Sequence, residues 1–298
     1  MISAKKESRF SVLFFFCYNK GIDRREFMKL VSICPSNTEL AAYLGLSGKL
    51  VGIDDFSDWP ESVGRLPKLG PDLSIDMDKL EALEPELVLA SLSVPGMERN
   101  VQELQKRGIP HLILDPQSLE NIADDLITVG RACGIPEEAE RVASGYRRFV
   151  AEMERRAQDV TDRPSLYWEW WPKPVFTPGR VNWLTEVSRI AGGRNLFEDV
   201  DLASVQTDWE DVRLRDPDRI LLAWVGVRTE KIRPELLAKR PGWPELRAMQ
   251  AGRVDIMEES LYCRPSPRLL EGAWKLGRML HPDIYGDLEL PDWVNRES

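Results

Sequence analysis

"KLEALEPELVLAS" (79–91) and "DVRLRDPDRILLAW" (211–224) decide the fold. Each reads as a short helix, an acid–proline break and an apolar strand. Proline cannot continue a helix, and it pushes the residue before it out of helical geometry. Pro85 matches Pro217, 132 residues further on. Glu84 and Glu86 match Asp216 and Asp218, and Val88 and Leu89 match Ile220 and Leu221. The next strands match as well, "GIPHLILD" (108–115) with "GRVDIMEE" (252–259). Two matches in the same order point to an internal repeat, hence to two similar α/β lobes.

Outward from the first copy, "KLVSIC" (29–34) reads as a buried strand. "PSNTELAAYLGLSG" then opens a helix, with Ser36 as N-cap and Glu39 in capping-box spacing. Gly45 or Gly48 ends it, and "KLVGIDD" (49–55) is the next strand. Apolar strands alternating with helical patterns are the mark of an α/β architecture. Between the copies, residues 118–160 have helical spacing. From Pro136 to about Val160 there is no further proline and a single glycine, Gly145. A helix of ~24 residues spans ~36 Å. The expected plan is an N-terminal extension (1–28), a lobe (29–135), one long connecting helix (136–160), a second lobe (161–283) and a C-terminal tail (284–298). A ligand cleft is expected between the lobes.

Bulk properties exclude several functions. With 40 basic against 49 acidic residues the net charge is −9, which argues against nucleic acid. Cys17, Cys34, Cys133 and Cys263 are scattered, and His111 and His281 are the only histidines, so no metal site is expected. "SVLFFFCYNK" (11–20) is too short an apolar run to span a membrane. No small-residue cleavage site follows it. Residues 1–27 therefore read as an upstream extension, and the cytoplasm is the favoured location, with an extracytoplasmic, membrane-associated one as the alternative. No GxGxxG, GxxxxGK[ST] or GxSxG is present. No catalytic residue is assigned.

"VSICPSNTELAAYLG", "VGIDDFSDWP", "LEALEPELVLA", "FTPGRVNWLTEVSRIAGGRNLF" and "SPRLLEGAWKLGRML" follow one another over residues 29–283. In their order and spacing the chain resembles the helical-backbone, class III periplasmic binding proteins of metal-chelate uptake. Within them it is most similar to the cobalamin-binding proteins. The resemblance implies two α/β lobes on one long helix, little motion on binding and no catalysis. It implies a monomer without cofactors that binds cobalamin or a related corrinoid and serves an ABC permease. Haem or another metal chelate is the alternative ligand, and a corrinoid-processing or chelatase-type enzyme the less favoured class. It also implies that Asp78 and Glu210, related by the repeat offset of 132, dock into the permease.

A corrinoid has apolar faces and a rim of amides, so it wants aromatic walls. Ligands of α/β sheets gather at the carboxyl ends of parallel strands. Phe56 and Trp59 follow the second strand. Trp168, Trp170 and Phe176 lie in "YWEWWPKPVF" (167–176), and Tyr262 and Arg264 in "EESLYCRPSPR" (258–268). All seven are candidate ligand residues. Strand alternation puts Trp168 and Trp170 on one face and Tyr167 and Trp171 on the other. One face should be core, and which tryptophan lies there is open. The loop "LGPDLSID" (69–76) offers Leu69, Pro71 and Leu73 where the resemblance would place a tryptophan.

Overall fold

The computed structural model describes residues 28–294. The extension at 1–27, with Cys17 and the question of export, lies outside the described residues. The chain forms two compact units. The first takes the described residues up to Asp115 together with 132–134. Its elements are β1 (Leu30–Ser32), α1 (Pro35–Tyr43), β2 (Leu50–Ile53), α2 (Met77–Ala82), β3 (Leu87–Ser91), α3 (Glu98–Lys106) and β4 (His111–Leu114). All four strands are parallel, in the order β2-β1-β3-β4. One core cluster joins Val31, Ile33, Val88 and Ala90 to Leu80 and Leu104 of the flanking helices. Such strands read as unbroken apolar runs because helices cover both faces of a parallel sheet.

The helix after β1 starts earlier than the capping-box reading. Cys34 is the N-cap, Pro35 opens the helix, and Ser36 sits inside its first turn. Proline suits that opening because its missing N–H would have no partner there. Gly45 ends the helix at φ +70°, a conformation other residues adopt at a cost.

The second unit takes 116–131 and the chain from 135 onward. It begins with α4 (Leu119–Ala132) and α5 (Pro136–Ala157), then β5 (Ser165–Glu169), β6 (Trp171–Pro172) and β7 (Val175–Pro178). There follow α6 (Trp183–Ile190), β8 (Arg194–Asn195), β9 (Ser204–Thr207), α7 (Trp209–Arg215) and β10 (Arg219–Leu222). The last elements are α8 (Arg247–Gln250), β11 (Val254–Ile256), α9 (Glu259–Tyr262), α10 (Leu269–Leu280) and α11 (Pro282–Tyr285). The main sheet is parallel, in the order β8-β5-β10-β11. The strands β6-β7-β9 make a small antiparallel sheet beside it.

The two main sheets share one topology: β8, β5, β10 and β11 repeat β2, β1, β3 and β4. Backbone detail repeats too. Among the described residues the non-glycine positions with positive φ are Glu84 (51°) and Asp216 (44°), the matched acids before Pro85 and Pro217. Asp76 caps α2 through the Lys79 N–H at 3.1 Å, and Asp208 caps α7 through that of Asp211 at 3.0 Å. Both pairs keep the 132-residue offset.

Two boundaries differ from the sequence reading. The first unit ends at 115, not 135, because α4 packs on α5. Gly130 lies so close to Ala139 that a Cβ there would sit 2.1 Å from the alanine methyl. Arg147 of α5 pairs with Glu120 (2.6 Å) and Asp124 (2.9 Å) of α4, and Glu186 of α6 accepts the Leu119 N–H at 2.6 Å. The long helix at 136–157 is therefore built into the second unit instead of standing apart. Likewise residues 284–294 are no loose tail. Tyr285 is fully buried with its hydroxyl donating to Ile190 O at 2.7 Å, and Arg156 of α5 binds Ile284 O (2.6 Å) and the Asp287 carboxylate.

Candidate functional site

In the first unit the carboxyl ends of β1 and β2 lead into the N-terminus of α1 and the loop 54–60. Asp54 is fully buried and shapes that loop. Its Oδ1 accepts the N–H of Phe56 (2.8 Å) and of Ser57 (3.0 Å), and its Oδ2 accepts Ser57 Oγ at 2.5 Å. Ser57 Oγ continues to Thr38 Oγ1 (2.7 Å), which donates to Ser32 Oγ (2.8 Å). Burial pushes the Asp54 carboxyl up to about 6; the bonds from Ser57 and Phe56 oppose the rise, and Asp72 adds to it. Burial likewise raises the Cys34 thiol to about 11, so it stays protonated and unreactive. Lys68 Nζ holds the loop from outside through Ser57 O at 2.7 Å.

This loop presents Phe56, 48 % exposed. Trp59 is partly spent on the fold, since its ring stacks on Tyr43 at 5.2 Å. Asp55 laces the loop to the next one: its N–H donates to Gly70 O (2.9 Å) and its Oδ1 accepts Gly70 N–H (3.1 Å). That second loop exposes Leu73. Phe56 and Leu73 give the first unit an apolar carboxyl-end surface.

In the second unit β5 is buried on both faces, so alternation does not divide it into core and ligand sides. Trp168 is 0 % exposed; its Nε1 donates to Ser188 Oγ (2.9 Å) and its ring meets Tyr262 at 5.1 Å. Tyr262 is buried too, its hydroxyl donating to Gly272 O at 3.0 Å. Both side chains belong to the core and offer a ligand no surface, which corrects the expectation for them. Trp170 is half-buried against Trp183 (6.4 Å), and among the described residues its buried Nε1 has no acceptor. Arg264 is largely buried and held by Glu259 at 3.1 Å, leaving little of it to meet a ligand.

Of the three tryptophans between which the sequence left the choice open, the one that faces solvent is Trp171, 43 % exposed. It lies directly across the β6–β7 ladder from Phe176. Opposed residues of an antiparallel pair share one face, so Trp171 and half-buried Phe176 make a joint platform. Lys173 O accepts Trp171 Nε1 at 3.0 Å and fixes the indole. Beside the platform, the Val225 N–H donates to Trp170 O at 3.2 Å, and the Val225 side chain is exposed. Val225, just past the end of β10, was not selected from the sequence; the strand run that precedes it was the available signal.

Asp78 and Glu210 occupy equivalent places in the first turns of α2 and α7. Both carboxylates are exposed, 85 % and 58 %, and pair with Arg107 and Arg213, each at 2.6 Å. Arg213 holds the Glu210 carboxyl below its ordinary range. Among the described residues no cluster of metal-ligating side chains occurs, and no helix is long and apolar enough to cross a membrane.

Paired α/β units with twin sheet order, each bearing aromatic or apolar loops at its carboxyl ends, define a solute-binding protein. The chain matches the periplasmic binding protein family over residues 30–261 and belongs to it. This family consists of non-enzymatic solute-binding proteins of ABC transporters. It is 28 % identical to an uncharacterized ABC transporter substrate-binding lipoprotein of Bacillus subtilis, covering 88 % of this chain and 82 % of that one. It is 30 % identical to a vitamin B12-binding protein of Yersinia pestis, covering 83 % and 84 %. In fold it superposes on a periplasmic heme-binding protein from Roseiflexus sp. RS-1 with a TM-score of 0.75 at 22 % identity, covering 87 % and 99 %.

Proposed function

We propose that this chain captures cobalamin or a related corrinoid and hands it to an ABC permease. The observation that carries the reading is the Trp171–Phe176 platform at the carboxyl end of the second sheet, with Phe56 and Leu73 at that of the first. Broad, stiff apolar surfaces suit a macrocycle; stacking adds ~0.5–1.5 kcal/mol per aromatic contact beyond burial. The vitamin B12-binding relative supports the same ligand. Trp59, Trp170 and Arg264 contribute at most their exposed edges.

Haem is the second reading, favoured by the likeness in fold to a heme-binding protein. Haem iron needs a His, Tyr, Met or Cys side chain. Cys34 and Tyr262, which lie near the carboxyl ends, are buried, and half-buried Cys263 beside Tyr262 points its thiol at Ala223 O (3.4 Å). A corrinoid brings its own cobalt ligands and makes no such demand. Asp78 and Glu210 would dock to permease arginines by exchanging their surface partners, a step of low cost because exposed ion pairs contribute only ~0–1 kcal/mol. The relative named as a substrate-binding lipoprotein supports an extracytoplasmic station and gives the cytoplasmic expectation no support.

Titration calorimetry against cyanocobalamin, cobinamide, haem and a ferric hydroxamate tests the reading. Corrinoids should bind most tightly. Absence of corrinoid binding in the micromolar range, or tighter binding of haem, refutes it.

A further inference from the structure

The second unit buries a full charge at the end of its central strand. Glu169, the last residue of β5, is 0 % exposed. Its Oε2 accepts Arg240 Nη1 (2.6 Å) and the Tyr167 hydroxyl (2.9 Å); its Oε1 accepts Arg240 Nη2 (3.2 Å) and Trp224 Nε1 (3.1 Å). The carboxylate is thus filled by four donors, two of them the fork of one guanidinium. Directly after it comes Trp170, whose N–H donates to Phe176 O (2.9 Å) and whose O accepts Val225 N–H (3.2 Å). The pair therefore lies under the junction of the aromatic hairpin and the end of β10.

Arg240 arrives from a stretch, 223–246, whose only regular structure is short 3-10 helices of three to six residues. Its guanidinium also covers the Trp209 ring at 4.7 Å, and Trp209 Nε1 donates to Pro241 O at 2.8 Å. Ile232, Leu237, Trp243 and Leu246 already bury this stretch in the core. Apolar burial is non-directional and sets no fixed orientation for the Trp224 indole; a bidentate fork does. Replacing a buried ion pair with apolar residues of similar size is often neutral or stabilising, so such a pair is weak evidence of a role in stability.

We propose that the Glu169–Arg240 pair is a positioning device that fixes the ligand face of the second unit, residues 170–176 and 223–228. The proposal rests on the reading that these loops carry the ligand. It predicts that stability and affinity separate when the pair is altered.

The test compares wild type, Glu169→Gln, Arg240→Lys and the double variant Glu169→Met/Arg240→Met by hydrogen exchange, thermal melting and calorimetry with cyanocobalamin. The Glu169→Gln change sets an amide N–H against an Arg240 donor. Exchange at 170–176 and 223–228 should rise at least about tenfold, and affinity fall about tenfold or more, at temperatures where the variant is folded. Amides of β1–β4 should not change. The double methionine variant removes both charges but leaves the Tyr167 hydroxyl and the Trp224 Nε1–H without their acceptor, so it should recover only part of the melting temperature and none of the affinity. Arg240→Lys keeps the charge without the fork and should lose affinity as well. Recovery of both properties in the double variant overturns the proposal. So does a lowered melting temperature in Glu169→Gln with exchange and affinity unchanged. If Glu169→Gln does not fold, the double variant and Arg240→Lys still decide. If wild type does not bind cyanocobalamin, the ligand reading fails and exchange at the two segments alone decides the role of the pair.

Discussion

Replacing Asp54 with asparagine should change how stability depends on pH. The buried carboxyl titrates at about 6 against an ordinary 3.8. Its folded-state value is raised, so the native state binds a proton more readily than the unfolded chain. The stability this confers is complete below about pH 4 and is lost as pH rises through about 6. The gap corresponds to about 3 kcal/mol. Asparagine keeps Oδ1 for the Phe56 and Ser57 N–H groups, and its Nδ2 can donate to Ser57 Oγ, which then donates to Thr38. The loop keeps its shape and the titration is gone. Urea unfolding of both proteins between pH 4 and 7.5 reads the effect. Stability of Asp54→Asn relative to wild type should climb by about 2.5 kcal/mol from pH 4 to about pH 7 and then stay level. A difference independent of pH refutes the reasoning. A difference of opposite sign would mean the folded protein prefers the ionised carboxylate.

The aromatic platform and the core tryptophan should behave oppositely. Trp171→Ala and Phe176→Ala should each weaken cyanocobalamin by roughly 1–3 kcal/mol in calorimetry with little change in the melting temperature of the free protein. Trp168→Ala should destabilise by ~3–5 kcal/mol in denaturant unfolding. Asp78→Arg and Glu210→Arg should leave corrinoid affinity intact and abolish corrinoid uptake in a strain carrying the cognate permease; unimpaired uptake refutes the docking role. Glu84→Gly should stabilise by up to about 1 kcal/mol, because glycine accepts the positive φ and only an exposed bond to Lys29 is lost. Asp216→Gly should instead destabilise in the same unfolding assay, since the Asp216 carboxylate accepts both the Arg247 backbone N–H (3.0 Å) and its Nε (2.7 Å), and glycine keeps neither bond.

The α/β pattern and the duplication were legible because the helix–acid–proline–strand unit carries its own punctuation. Turn chemistry is local, and both Asp76 and Asp208 caps fall where the repeat puts them. The lobe boundary was hidden for a physical reason: helical spacing shows that 118–131 is a helix but not which neighbour it packs on. The roles of the tryptophans were hidden because alternation sorts side chains only when one face is solvated, and β5 is covered on both. The hairpin turns after it, and only that turn brings Trp171 out beside Phe176. Glu169 is a lone charge within "SLYWEWW" that the sequence reading passed over, and its partner lies 71 residues further on. Long-range pairing of that kind leaves no mark in a local window.

Strand order also sets the order of events when the chain folds. Every strand of the first sheet lies within residues 30–114, so that sheet can close as soon as this stretch exists. The second sheet comes later and closes wider loops at its edges: β8 pairs with β5 across Ser165↔Arg194 and β11 with β10 across Ile220↔Val254, where the first sheet needs only Leu30↔Leu50 and Val88↔His111, while the central pairings Leu166↔Arg219 and Leu30↔Leu87 are similarly distant. Closing long loops before any contact rewards them slows folding. The amino-terminal half should therefore act as the early folding unit, and the slow, aggregation-exposed phase should belong to the carboxyl-terminal half, with the apolar β5 edges open until β8 and β10 arrive.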